Sequence, residues 1–500
     1  MLSKLLASAA LVAVLSSAAY AHDGVIDVVA PFEIKGADPV TSGNIYMKMD
    51  IAETLVNAAE DGRLTPGLAT EWHASEDGLE WHFHLRDGVL FHDGSPFTAE
   101  AAANALKIAR GKPGLLETAP ITEIVADGAD LVIRLSEPFA PLPAFLSEYR
   151  SLIYAPAAYA ADGSVTEVIG TGAYRVTRLD APLRLEAEAF PGYWGDAPAI
   201  ARASYQAVGR SETRALLAES GDADYVFNLD PASVARLGAV DSVEVRSVSV
   251  PRSLLIKVNG AHPALAEVDA RRALSLAIDR EGLAQAILRY PAGADQMLPP
   301  SIGDWHSDVV EPLAYDPDAA RALLAGLGWQ AGSDGILSRN GERFSLTLTT
   351  YPDRPELPLS AAVLQQMFAE IGVEMVIDST NSSEIAARHA DGSLDIALFA
   401  RNFALVPDPI GTFLTDYAPG GDWGAMNWDN PEFTSLIAEL ARGEGGQAER
   451  DRAIEILQTD LPVIPVAWYQ QTAAISTGIT GAVIDPYERT IGLRSIRGAE

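Results

Sequence analysis

Between residues 344 and 400 the chain switches period repeatedly, and this alternation restricts the fold more than any other feature. A β-type run at 344–350 precedes helical spacing at 358–371, then a second β run at 373–378, helical spacing at 382–390, and a third β run at 394–400. Strands separated by helices pair in parallel, because a parallel neighbour is reached only through a crossover of about a dozen residues. An α/β architecture follows. Shorter β-type runs stand at 25–30, 81–85 and 130–135. Thr98-Ala99-Glu100 opens a helix, since threonine caps well and the alanines of 101–109 are strong helix formers. Helical spacing also covers about 47–59, 268–290 and 316–327, the last entered through Asp316-Pro317 and closed by Gly328.

Composition narrows the class. With 500 residues, 48% of them hydrophobic, the chain has more apolar surface to bury than one core usually supports, so two or three domains are expected. The formal charge of −32 is spread among apolar residues rather than collected in a tail. Such a surface repels nucleic acid, and an anionic solute would need local basic groups to approach it. There is no cysteine, which removes disulfides, thiolate metal sites, thiol nucleophiles and the acylated residue of a lipoprotein. At the N-terminus Lys4 precedes an apolar run from Leu5 to Leu15 and then Ala19-Tyr20-Ala21. That is the pattern of a cleavable secretory signal over 1–21, with the mature chain starting at His22. The run is shorter than the about 20 residues a spanning helix needs. A soluble monomer in a periplasm is expected. No Gly-x-Ser-x-Gly, His-Glu-x-x-His or phosphate loop occurs, so a secreted hydrolase finds no support; neither enzyme activity nor a cofactor is expected.

The most specific stretch is 53–100: Glu53-Thr-Leu-Val, Glu60-Asp-Gly62, Pro66-Gly-Leu-Ala69, Trp72, Ser75-Glu-Asp-Gly78, Leu85-Arg-Asp-Gly-Val89, Phe91-His-Asp-Gly94 and Pro96-Phe-Thr-Ala-Glu100. Its Asp-Gly pairs at 61, 77, 87 and 93 suit tight turns between short strands. Ile169-Gly-Thr-Gly-Ala-Tyr174, Asp269-Ala-Arg-Arg-Ala273, Tyr315-Asp-Pro-Asp318 and Gly328-Trp329 follow in order. Together these blocks resemble the extracellular solute-binding proteins of the dipeptide, oligopeptide and nickel class, nearest the nickel-chelate subgroup. The resemblance implies a two-lobed α/β clamshell with a subdomain inserted in the first lobe. Residues 22–44, 168–250 and 470–500 would form lobe I, 45–167 the insertion and 251–469 lobe II, with a hinge near Val250 and Gln470. It also implies a small solute as ligand and an ABC permease and ATPase of the inner membrane as partners. A short peptide and a metal chelate both remain open as solutes, and a sensor or chaperone role is the alternative to import.

The resemblance also nominates site residues. Arg401, Asn402 and Phe403 open the segment ending in Asp408-Pro409 that lines the family's cleft, and Arg150 stands one place from an arginine that grips ligand carboxylates. Arg110 is a weaker candidate of the same kind. Guanidinium groups suit carboxylates because they bond both oxygens, so a carboxylate-bearing solute is expected. Tyr46 and Met47 fall on a helix expected to face the cleft, with core packing as the alternative reading. Trp423 and Met426 lie in an aromatic, sulfur-bearing loop beside it, equally readable as loop core. The eight histidines offer no metal-ligand constellation: the loop 413–430 has none, while His82 and His84 would share one strand face in the scaffold hairpin. No metal ligand is assigned.

Overall fold

The computed structural model describes residues 24–499, apart from 353, 355, 404, 405, 418–420 and 422; the expected signal segment and His22 lie outside the described residues. Ten strands form one sheet: β1 (Val25–Ala30), β2 (Tyr174–Asp180), β3 (Arg184–Ala189), β4 (Arg202–Ala207), β5 (Tyr225–Phe227), β6 (Val243–Val258), β7 (Ser345–Thr350), β8 (Glu374–Ser379), β9 (Ile396–Asn402) and β10 (Val463–Ser476). Their spatial order is β8-β7-β9-β6-β10-β5-β1-β4-β3-β2. The alternating segment of the sequence supplies β7, β8 and β9, which pair in parallel as their spacing requires. At the other end β1 is parallel to β4 and β5.

The two long strands β6 and β10 are antiparallel partners that run through the middle of this sheet. The far end of β10, at Ala473–Ile475, pairs with β5 on its other edge, and the far half of β6, from Arg252 to Val258, pairs with β9. Their register shifts between Ser249 and Ser253, beside the Ser249–Gln470 pair. Pro251 sits inside that irregularity, where a residue without an N–H costs no ladder bond. The sheet thus has two α/β lobes meeting at a register break.

Between β1 and β2 a separate antiparallel sheet is built from Ala69–Ala74, Glu80–Leu85, Asp130–Leu135 and Ile121–Asp127 in that order. Gly62, Gly78, Gly88 and Gly94 all take positive φ, as the four Asp-Gly pairs require. Helix Ala99–Arg110 packs on it, capped by the Thr98 side chain as read from the sequence. One apolar cluster underlies both this sheet and the β7–β9 half, with Phe83, Phe145, Phe368 and Phe413 fully buried in it. A second underlies the β1–β5 half around Ile26, Tyr46, Tyr174 and Tyr225.

Two helices differ from the sequence reading. The segment expected at 47–59 is instead helix Pro39–Lys48, started by an Asp38 cap with Pro39 in the first turn and ended before Asp50, whose φ of 48° is left-handed. Asp-Pro entry outweighs the alanine-rich composition further on. The expected helix 268–290 stops at Leu276 and restarts at Arg280 under an Asp279 cap. The buried Arg280 guanidinium turns back on the Ser275 carbonyl at 3.0 Å, an acceptor that a continuous helix would use, and reaches the Pro465 carbonyl of β10 at 3.0 Å.

The turn at 169–174 is pressed against the backbone after helix Pro39–Lys48. Gly172 donates to the Ile51 carbonyl at 3.0 Å, and a Cβ on Gly172 would stand 2.1 Å from the Asp50 carbonyl oxygen. A Cβ on Gly170 would stand 2.2 Å from that of Ile51. Only glycine permits this approach, which fixes where Lys48 and the helix end sit.

Candidate functional site

The strand directions locate the site. In lobe I the pairs Ala30–Ala207 and Phe227–Ala473 show β1, β4 and β5 ending toward the register break. In lobe II β9 runs so that Asn402 lies opposite Arg252, and β7 and β8 run parallel to it. The carboxyl ends of the parallel strands in both lobes therefore converge on the β6–β10 irregularity, the place where open α/β sheets hold ligands.

A row of side chains crosses that point. On the lobe I side Phe32, exposed just beyond β1, lies 6.1 Å from Phe227, and the Lys48 ammonium stands 5.9 Å over the Phe227 ring. Lys48 donates to the Glu488 carbonyl, whose residue has a left-handed φ of 57°. The Glu488 carboxylate takes Arg252 at 2.7 Å. Arg252 and Arg354 lie 5.8 Å and 5.6 Å from the centre of the Tyr469 ring. The Tyr469 hydroxyl donates to Glu356 at 2.6 Å, leaving that carboxylate 3.9 Å from Arg354. Asp485 and Arg489 close on each other through paired contacts of 2.9 Å and anchor the turn that presents Glu488.

The charges are tuned by this packing. Burial pushes Lys48 below its ordinary value against the pull of Glu488. Burial would raise Glu488, but Arg252 and Lys48 outweigh it and hold the carboxyl low. Burial also raises the Tyr469 phenol, with Glu356 adding to it. Lys48 and Arg252 thus share Glu488, and Arg354 is the cation most loosely held. The row therefore sets three basic side chains against the Glu488 and Glu356 carboxylates, in a chain of −32.

The residues nominated from sequence are dispersed around this row. Asn402 is beside it, opposite Arg252. Met47 is half-buried next to Lys48. Arg401 is not on the same side: neighbouring strand residues alternate faces, and Arg401 pairs with Ser253 on the face away from Arg252. There it forms a bidentate contact with the buried Asp416, at 2.5 Å and 2.8 Å. Arg150 reaches Glu148, which is fully buried, and lies 4.8 Å over the Tyr149 ring. Both arginines already hold an internal carboxylate, so neither presents an uncompensated charge. Arg110 ends its helix exposed, where its charge complements the helix dipole.

Three aromatic and sulfur candidates serve the core instead. Tyr46 is fully buried and donates to the Gly36 carbonyl at 2.5 Å. Phe403 is 1% exposed and lies 6.1 Å from Phe413, the hub of a ring cluster with Trp305 and Phe433. Met426 is 1% exposed and bridges to Asn259, beyond the far end of β6. From Arg252 to Asn259 is seven strand steps, about 23 Å at the usual rise, so Met426 does not reach the row. Trp423 is half-buried, 6.0 Å from Phe399 on the Arg401 face. Asp408, half-buried in the loop after Phe403, is pushed up to about 6 by burial.

The model of the bacterial extracellular solute-binding proteins, family 5 (middle region), matches residues 63–424. The chain belongs to that family. The nickel-binding periplasmic protein of Escherichia coli (strain K12) is 28% identical over 416 residues, covering 77% of this chain and 78% of the relative. The dipeptide-binding protein of the same strain is 25% identical over 463 residues, covering 84% of each. The solved structure of NikA from Brucella suis in complex with Fe(III)-EDTA superimposes with a TM-score of 0.87 at 21% identity, over 95% of this chain and 100% of that one. The two-lobed α/β fold is common to this solute-binding family. Among the described residues no helix is long and apolar enough to cross a membrane.

Lys48, Arg252, Arg354, Tyr469 and Glu488, which line this row, escape a motif-led reading. Arg252 and Tyr469 lie within two residues of the crossover expected at Val250 and Gln470, which was signal enough to nominate them. Lys48, Arg354 and Glu488 come from three distant segments, and only the folded chain brings them together.

Proposed function

We propose that this chain is the periplasmic solute-binding component of an ABC importer, closing two lobes on a small carboxylate-bearing solute and delivering it to the inner-membrane permease and ATPase. The observation that carries this reading is the convergence of parallel strand ends from both lobes on the β6–β10 register break, within a family of solute-binding proteins. Lobe I would comprise 22–44, 168–250 and 470–500, the insertion 45–167, and lobe II 251–469, with the break at 249–253 as the hinge. The solute's carboxylate would meet Arg354, with Arg252 and Lys48 behind it, Asn402 beside them and Phe32 on the opposite wall. Arg401 and Arg150 would then brace the cleft through Asp416 and Glu148. The similar proteins named for nickel and a dipeptide, and the NikA structure solved with Fe(III)-EDTA, support a solute that is a short peptide or a metal carried by an organic chelator.

Native mass spectrometry of the protein purified without denaturation tests this. The expected result is a co-purified small molecule of either class bearing at least one carboxylate. A neutral or purely cationic occupant would remove the role given to Arg354.

A further inference from the structure

The outer face of the inserted sheet carries an unusual concentration of imidazoles. Strand alternation puts Trp72, Trp81 and Phe83 on the core side, leaving Glu71 and His73 outward from one strand and Glu80, His82 and His84 outward from the next. Three of the seven described histidines therefore share one face. His73 and His82 are directly opposite in the antiparallel register, their rings parallel to within 7° and 5.2 Å apart. A Glu80 carboxylate oxygen is 3.5 Å from His82 Nε2, and Asp130 takes His84 Nδ1 at 2.7 Å. Among the described residues no three such side chains already converge as a metal cluster.

We propose that His73 and His82 chelate one divalent transition ion of the nickel, copper or zinc type on this outer face, independently of the solute cleft. Directly opposed strand residues have Cβ atoms about 5 Å apart, and small side-chain rotations let two imidazole nitrogens reach one ion at about 2.0–2.1 Å. Imidazole is the ligand type these ions share, while water completes the coordination. Glu80, which Arg134 holds at 2.8 Å, stands 3.5 Å from His82 Nε2, close enough to orient that imidazole, and the protein's negative charge concentrates cations. Cross-strand ring packing alone would give the same stack but would not bind metal.

The test uses tag-free protein stripped with EDTA, exchanged into chelator-free buffer and titrated with copper(II) and nickel(II) chloride by calorimetry, with the copper complex also read by paramagnetic resonance. One equivalent should bind with a Kd on the order of micromolar or tighter and a two-nitrogen copper spectrum. H73A and H82A should each weaken binding at least tenfold, with unchanged melting temperature because both positions face outward. H84A and R354Q should leave it within about twofold. Metal uptake that survives H73A/H82A, or that R354Q abolishes, would place the ion elsewhere and overturn the proposal, as would no uptake by the wild type.

Discussion

Replacing Arg354 by glutamine is expected to weaken solute binding by roughly ten- to a hundredfold, the equivalent of the about 1.5–3 kcal/mol that a charge-assisted contact contributes. Among the described residues Arg354 meets a carboxylate only loosely, at 3.9 Å from the partly exposed Glu356, so its removal strands no fully buried acid. Folding stability of the solute-free protein should change by less than about 0.5 kcal/mol, as for other partly exposed substitutions. Arg401→Gln should behave in the opposite way. It removes the bidentate partner of the buried Asp416, and a loss of roughly 2–3 kcal/mol in stability is expected with affinity nearly intact. Titration calorimetry and chemical denaturation of both variants separate the two roles. Weakened binding confined to Arg401→Gln would return the carboxylate to that arginine.

Gly172→Ala should be the most damaging single methyl in the chain. Its Cβ would stand 2.1 Å from the Asp50 carbonyl oxygen and 2.6 Å from the Ile51 carbonyl carbon. Both obstacles are backbone, so no rotamer change relieves them and the turn must lift off the segment following Lys48. A cost of about 3 kcal/mol or more follows, at the upper end of overpacking effects. Gly209→Ala provides the control, because nothing lies within 4 Å of its Cβ position. Thermal melts in parallel should show a large drop for the first and almost none for the second. Equal melting temperatures would mean that the 169–174 turn does not press on Asp50 as described.

The elements that sequence patterning located well are those whose signal is local. The β7–β9 alternation, the Thr98 and Asp316 caps and the four Asp-Gly turns each follow from a few adjacent residues. The helix expected at 268–290 restarts under the Asp279 cap, and the Pro465 carbonyl that holds Arg280 there lies far along the chain, where local patterning does not reach. The site was less legible for the same reason. Arg401 and Arg150 stand in recognisable segments, but only the fold shows that they meet Asp416 and Glu148, and Asn402 faces the same way as Arg252 only because strand residues alternate. Lys48, Arg354 and Glu488 are ordinary charged residues in an acidic sequence until the strand ends bring them within reach of Tyr469 and Arg252.

Closure about the β6–β10 register break is the claim on which the functional reading depends, and solution scattering measures it directly. Protein unfolded and refolded to remove its solute should scatter as an open form, and adding back the solute recovered from the native protein should give a smaller radius of gyration. Gln470→Pro, which removes a backbone N–H donor to the Tyr290 hydroxyl beside the break, should blunt that change. Superimposable scattering curves with and without saturating solute would contradict a two-lobed clamp.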